Sequence, residues 1–145
     1  MTELTEEEVV AFINACCEKE IALGAASLSD FERMVALVSW IDYELALGGF
    51  LGFFYNSAGD KAFATVEALT VIGADSAADA VQKAVYLFPD QSRLAEREYR
   101  QDHILSLCRS FRLLEPGFES QNPCVRELMI DYVRRNYTEL TPVMS

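Results

Sequence analysis

The sequence has few of the residues that turn-rich or metal-binding proteins need. Among 145 residues there are only seven glycines and four prolines, too few for a turn-rich β sandwich. A single histidine, His103, provides no second imidazole for a zinc site. The four cysteines, Cys16, Cys17, Cys108 and Cys124, include no Cys-x-x-Cys pair. We therefore expect reduced core thiols, no metal and no cofactor.

Long hydrophobic segments are also missing. The longest apolar run, 45–55, has eleven residues and contains three glycines, whereas a membrane span needs about 20 residues. The first ten residues, MTELTEEEVV, are acidic and lack the basic start of a signal peptide. The sequence therefore predicts a cytoplasmic protein that does not bind membranes.

Basic residues are scarce in the first two thirds of the chain. The protein has 23 acidic and 12 basic residues, a net charge of −11. Residues 1–92 contain 15 acids and 4 bases, whereas residues 93–145 contain 8 of each. An acidic surface repels nucleic acid and anionic lipid, so direct binding to either is disfavoured. The uneven charge is compatible with head-to-tail self-association, for example as a homodimer, with an acidic surface that binds a partner, and with an ordinary solvated surface, which charge alone favours.

Helical periodicity runs through the whole chain, 1–145, and predicts a compact all-α single domain of about seven helices. The first two helices begin at capping boxes, Thr5–Glu8 and Ser29–Glu32. Glycine is expected to end several helices, since it tolerates the left-handed conformation after a last turn. By these criteria the first half contains helices at about 5–23, from 30 to the glycine pair at 48–49, and at 50–55. A fourth helix ends at Gly73, and its residues Phe63, Val66 and Leu69 are expected to face inward.

The second half of the chain predicts three further elements. Asp75 is expected to cap a fifth helix. Residues 92–111 predict one helix or two, and the polar stretch 96–103 suggests that this part projects from the body. Pro116-Gly117 is expected to break the chain, and Asn122-Pro123 to start the last helix.

A group of polar residues surrounds the glycine turn. Asp42 and Glu44 precede the turn, and Tyr55, Asn56 and Ser57 follow the short helix after it. Because a two-residue break folds the short helix back on its neighbour, these five side chains can converge on one pocket. Two carboxylates with an amide and a hydroxyl suit a cation or a small polar ligand. The alternative is that the two acids pair with arginines from the second part of the chain.

The segment 42–74, DYELALGGFLGFFYNSAGDKAFATVEALTVIGA, carries a recognisable pattern and resembles a bacterial DNA-mimic protein family of small all-helical domains. The family pattern is an Asn-Gly-Gly-Phe turn, a short aromatic helix, an Asn-Ser-x-Gly turn and a helix that ends in Ile-Gly-Ala. Leu47 replaces the first asparagine, and Gly52 replaces a polar residue of the aromatic helix. The matching residues are Gly48, Gly49, Phe50, Phe54, Asn56, Ser57, Gly59, Ile72, Gly73 and Ala74.

The resemblance implies an all-α domain without known catalysis, in which surface carboxylates stand in for phosphates and occupy a DNA-binding protein. Acids one helical turn apart lie about 6 Å from each other, and packed helices lie about 8–10 Å apart, so a helical surface can present charges at phosphate-like spacings. We assign the matching turn residues to architecture, with Asn56 capping a helix or tying the turn by hydrogen bonds. The acids that point away from the apolar stripes form the candidate partner-binding surface: Glu6, Glu7, Glu18, Asp30, Glu32, Asp60, Glu67, Asp75 and Asp79.

Three functions are compatible with the sequence. The first, which we favour, is a non-enzymatic acidic protein-interaction domain, for which a DNA mimic that occupies a basic DNA-binding protein is one form. The second is a small-ligand or metal-binding module around Asp42, Glu44 and Asn56. The third is an immunity-type protein that neutralises a toxin, because an acidic surface complements a basic nuclease.

Overall fold

The computed structural model describes residues 4–137. Within this range there are six α-helices and no strand, so the all-α prediction is confirmed. The second helix divides at Gly49 into two segments, which brings the helical segments to the predicted number of about seven. The helices are α1 Glu6–Leu23, α2 Asp30–Tyr55, α3 Ala62–Val71, α4 Asp75–Val85, α5 Arg97–Glu119 and α6 Val125–Asn136, with short 3₁₀ helices at Ala25–Ser27, Ser57–Lys61 and Gln91–Arg93.

The hydrophobic core lies between α2 and the helices around it. α2 packs against α1, α3, α5 and α6, so it is the central element of the domain. Phe54 of α2 is fully buried, and its ring stacks on that of Phe111 with 5.4 Å between the centroids. The rings of Phe50 and Phe88 also pack against Phe54. This aromatic cluster fixes the second segment of α2 against α5.

α2 is long and apolar enough to cross a membrane by composition alone. Much of its apolar surface is nevertheless used inside the domain, where Val35, Val38 and Ile41 are buried. The helix also carries the carboxylates of Glu32 and Glu44 at buried positions. These features are typical of the core helix of a globular domain.

The predicted starts and ends of the first helices agree with the structure. Thr5 and Ser29 each form a capping box with the glutamate three residues later. Gly24 and Gly73 follow their helices with φ of 88° and 87°. This is the backbone region that favours glycine, so residue type explains both helix ends.

Two predictions about the middle of the chain are wrong. Asp75 does not cap α4, because Ala74 occupies the N-cap position and Asp75 is already the first helical residue. Its charge still interacts favourably with the helix N-terminus. Phe63 does not face inward and is 50% exposed, because α3 buries the side of the helix that carries Thr65 and Leu69.

The C-terminal third differs most from the predictions. The helix predicted at 92–111 is α5, which starts later and continues through Pro116 into a further turn. Proline removes only its own N–H from the ladder, so a helix with good packing can continue past it. α5 does not project, since it packs along α2 and α4. The last helix begins at Val125 with Cys124 at the N-cap position, and not at Asn122-Pro123.

Candidate functional site

The turn that divides α2 is built from Gly49 and the carboxylate of Glu115. Gly49 has φ 63° and ψ −161°, a conformation that is essentially restricted to glycine. The next N–H, that of Phe50, donates to Glu115 Oε2 at 3.0 Å. A carboxylate of α5 therefore caps the second segment of α2, where the helix N-terminus favours negative charge.

A buried guanidinium holds the turn after α2. Arg100 of α5 is fully buried. Its N–H groups donate to the carbonyl oxygens of Phe54, Leu94 and Asn56 at 2.7–3.0 Å. Its fourth contact is Asp60 Oδ1, at 2.7 Å. The polar stretch that was expected to project thus inserts its arginine into the domain and ties α5 to the end of α2.

Gly59 leaves room for this guanidinium. A Cβ at Gly59 would lie 2.8 Å from the Phe53 carbonyl oxygen and 2.9 Å from Arg100 Nε. Both distances are shorter than the van der Waals contacts that a Cβ atom normally makes in folded proteins. The last residue of the Asn-Ser-x-Gly turn is therefore glycine because backbone and arginine approach each other closely there.

Two of the nine acids predicted to form a partner-binding surface are engaged inside the domain, so that part of the prediction is wrong. Glu32 is buried, completes the capping box of α2 and lies 3.3 Å from Lys19 Nζ. Asp60 is half-buried and contacts Arg100 and Arg97 at 2.7 and 3.2 Å. Burial alone would raise the pKa of Asp60, but the hydrogen bonds and charges of the two arginines outweigh it and lower the pKa below its usual value.

The other seven predicted acids are exposed. Asp30 and Asp79 form ion pairs on their own helices, with Arg33 at 3.6 Å and Lys83 at 2.9 Å. Exposed pairs of this kind contribute little to stability and exchange readily for other partners. The other five of these seven acids, Glu6, Glu7, Glu18, Glu67 and Asp75, have no basic side-chain nitrogen of the described residues within 4.0 Å.

A cavity of about 660 Å³ lies between α1, α2, the 3₁₀ helix Ser57–Lys61 and α5. Four of the five polar residues predicted to converge near the glycine turn line it: Glu44, Tyr55, Asn56 and Ser57. The fifth, Asp42, does not, and its inclusion was wrong. Residues two apart in a helix point in directions about 200° apart, so Asp42 and Glu44 cannot face the same cavity.

Asp42 is half-buried on the side of α2 that faces Arg126 of α6, and Asp42→Asn is expected to stabilise the protein near neutral pH. Burial raises the pKa of Asp42, which the positive charge of Arg126 only partly offsets. A carboxyl group whose pKa is higher in the folded than in the unfolded state stabilises the fold only while protonated. Wild-type stability is therefore lost as pH rises through the raised pKa.

Urea unfolding of both proteins from about pH 7 down to about pH 4 measures this difference. The gain of Asp42→Asn should be largest near neutral pH and should shrink as the pH falls. A variant that is less stable than wild type near neutral pH would show that Asp42 forms a net favourable pair with Arg126.

Glu44 and Asn56 interact directly across the mouth of the turn. Glu44 is 9% exposed, and its Oε2 accepts a hydrogen bond from Asn56 Nδ2 at 2.7 Å. The Asn56 side chain makes no capping hydrogen bond to the 3₁₀ helix that follows it. Of the two roles predicted for Asn56, capping is therefore wrong, and the amide ties the turn to α2 instead.

The cavity is also lined by residues that the sequence analysis did not predict. Trp40 Nε1 donates to Glu20 Oε1 at 2.7 Å, and Lys61 Nζ lies 3.3 Å from Glu20 Oε2. Ile21 and Leu37 supply apolar surface beside the indole. These residues come from separate elements and no local pattern connects them, so only the packing of α1 against α2 brings them together.

Metal binding has no support in the described range. Residues 4–137 contain no group of three or more histidine, cysteine, aspartate or glutamate side chains that could hold a metal ion. The four cysteines are unpaired. Burial, with a smaller contribution from Glu32, raises the pKa of Cys16 to about 12, so this thiol is protonated. His103 is half-buried, with Nδ1 2.9 Å from the Tyr99 carbonyl oxygen.

Comparison with known proteins identifies the family. The model of the DMP19-like proteins matches residues 26–136, from the turn before α2 to the end of α6. The chain belongs to the DMP19-like protein family. No curated protein and no solved structure gives a significant match. The DMP19-like region includes the Gly49 turn, the Arg100–Asp60 contact and most of the cavity, whereas α1 lies outside it.

Proposed function

We propose that this protein is a non-enzymatic, acidic interaction domain of the DNA-mimic type, and that it occupies the basic nucleic-acid-binding surface of a DNA-binding protein. Membership of the DMP19-like family supports the general class. The observation that carries the proposal for this chain is that five exposed acids of the predicted set, on α1, α3 and α4, have no basic partner in the described residues.

The arrangement of these helices suits charge mimicry. Asp75 and Asp79 are one helical turn apart on α4, which places their carboxylates about 6 Å from each other. α3, which carries Glu67, packs against α4. Packed helices lie about 8–10 Å apart, so carboxylates along and across this face have separations comparable to those of phosphates.

The arginines of the second part of the chain do not neutralise this surface. Arg93 and Arg135 pair with acids on their own segments, at 3.1 and 2.9 Å. Arg97 and Arg100 are engaged by Asp60. In residues 4–137 no ion pair joins an arginine from residue 93 onward to an acid of α1, α3 or α4, so these acids keep their charge. Strongly acidic surfaces attract a basic groove at long range.

The proposal is tested by capture of partners from native lysate at low salt, with nuclease treatment and elution by duplex DNA. The acidic variant combines Glu18→Gln, Glu67→Gln, Asp75→Asn and Asp79→Asn. We expect wild type to retain a DNA-binding protein that duplex DNA or salt releases, since salt screens exposed charges. The acidic variant should bind that protein about tenfold more weakly or worse.

A matched variant controls for the change in net charge. It also neutralises four exposed acids, but on α5 and α6: Glu98→Gln, Asp102→Asn, Glu127→Gln and Asp131→Asn. Asp131 pairs with Arg135 one turn away, as Asp79 does with Lys83, so each variant breaks one ion pair of the same kind. The matched variant should bind like wild type. Equal losses of affinity in both variants would mean that the partner responds only to the overall charge, which would contradict the proposed surface. A partner that duplex DNA cannot displace would contradict DNA mimicry.

A further inference from the structure

One carboxylate in the cavity between α1, α2 and α5 has no cationic partner. Glu44 is 9% exposed, and only its Oε2 is hydrogen-bonded, to Asn56. In the part of the chain that the structure describes, no basic nitrogen lies within 4.0 Å of Glu44. Its Oε1 makes no hydrogen bond but is not fully buried, because the one fully buried side-chain polar atom without a partner in residues 4–137 is Gln91 Oε1. Glu44 Oε1 is therefore a free acceptor that opens into the cavity.

The other charges that line the cavity are already paired. Both carboxylate oxygens of Glu20 are used, by Trp40 and Lys61. Both oxygens of Asp60 are used as well, one of them by Arg97. An anion in the cavity would be repelled by the unpaired carboxylate of Glu44, and the cationic side chains of the cavity already pair with other acids. A cation, in contrast, would supply the partner that a largely buried carboxylate requires.

The walls of the cavity favour a particular kind of cation. Trp40 and Tyr55 present aromatic rings, and Ile21 and Leu37 add aliphatic surface. A guanidinium is planar and weakly hydrated, pairs with a carboxylate and stacks on aromatic faces, whereas an ammonium is a strongly hydrated point charge. We propose that this cavity is a binding site for an alkyl guanidinium group, with Glu44 as its carboxylate anchor and Trp40 as its aromatic wall.

The site is separate from the acidic surface of the proposed function. The site uses none of the five unpaired exposed acids, so the guanidinium proposal is independent of DNA mimicry. The alkyl guanidinium group occurs both in free small molecules and in the arginine side chains of proteins. The two sources share the chemistry that the cavity recognises and differ only in the peptide backbone beside it.

Trp40 gives a direct readout, because it is the one tryptophan in the chain. Its fluorescence and its indole N–H resonance are followed during titration with N-acetyl-arginine N-methylamide, and in parallel with the uncharged citrulline analogue of the same shape. We expect a saturable change with the arginine probe and a response at least about tenfold weaker with the citrulline probe. Titration with n-butylguanidinium, which lacks a peptide backbone, then separates the two sources. An affinity equal to that of the arginine probe indicates a free guanidine as the ligand, and a weaker affinity indicates an arginine in a peptide.

Two isosteric variants of α2 assign the anchor. Glu44→Gln removes the charge but keeps an oxygen that accepts from Asn56, and it should weaken the arginine probe about tenfold or more. Asp42→Asn removes one charge from the same helix on the other side and should leave the affinity within about twofold. Equal binding of the arginine and citrulline probes, no saturable response to the arginine probe, or unchanged affinity in a folded Glu44→Gln protein would overturn the proposal.

Discussion

Arg100→Met is expected to destabilise the protein by about 3–5 kcal/mol, because each buried acceptor that loses its hydrogen bond costs about 1–3 kcal/mol. The methionine fills similar space but leaves the carbonyl oxygens of Phe54 and Leu94 without the guanidinium donors. The Asn56 carbonyl oxygen loses one of its two donors and keeps the Gly59 N–H. It also deprives Asp60 of its contact at 2.7 Å. Because these acceptors belong to the end of α2 and to the turn after it, we expect the cavity to be disrupted together with the fold.

Urea unfolding measures the effect, and the neighbouring arginine provides the control. Arg97 contacts the other oxygen of Asp60 at 3.2 Å but is exposed. Arg97→Met should therefore cost no more than about 1 kcal/mol, as is usual for exposed pairs. Similar losses for the two methionine variants would show that the burial of Arg100 contributes nothing beyond its charge.

The geometry of the guanidinium matters as much as its charge. Arg100→Lys keeps a positive charge, but one ammonium cannot reach the separate acceptors that the rigid guanidinium serves. We expect its stability to lie between those of the wild type and Arg100→Met. A double-mutant cycle with Asp60→Asn should give a coupling of about 1–3 kcal/mol, since the two groups are in direct contact.

The features that could be predicted from the sequence are those set by neighbouring residues. The capping boxes at Thr5 and Ser29 and the glycines after α1 and α3 each depend on a few consecutive positions. Arg100 lies in a locally polar stretch, where composition indicates solvent. Its acceptors Phe54 and Asn56 are more than 40 residues away along the chain. No periodicity within α5 contains that information, so a helix expected to project is instead anchored by its arginine.

The candidate site was predicted only in part, for the same reason. Glu44 and Asn56 flank one sharp turn, and chain geometry alone brings them near each other. Asp42 was included because it is close in sequence, although helical rotation turns it away. Trp40 and Glu20 were missed because their contact depends on how α1 packs against α2.

The family match divides the acidic surface into two parts. Glu6, Glu7 and Glu18 belong to α1, which lies before residue 26, whereas Glu67 and Asp75 lie within the matched region. A function that depends on the family fold would therefore use the acids of α3 and α4 in the interface that we propose. The acids of α1 then add long-range attraction, which changes association rate more than the lifetime of the complex.

Gly49→Ala is expected to destabilise the protein by about 3 kcal/mol, whereas Gly48→Ala should be neutral or stabilising by up to about 1 kcal/mol. Gly49 has φ 63° and ψ −161°, which an alanine adopts only with strain. Its added Cβ would also collide with the carboxylate of Glu115. Gly48 is helical and exposed, and a Cβ there meets nothing within 4 Å. Thermal and urea unfolding of the two single variants compare adjacent residues of the same type.

The double variant Gly49→Ala, Glu115→Ala separates the two causes. Removing the carboxylate relieves the collision but leaves the strained backbone, and it also removes the cap on the Phe50 N–H. Loss of a cap costs about 1 kcal/mol. If strain dominates, Glu115→Ala lowers stability by a similar amount in the wild type and in the Gly49→Ala protein. If the collision dominates, Glu115→Ala destabilises the wild type but stabilises the Gly49→Ala protein, because the turn then needs glycine to admit the carboxylate.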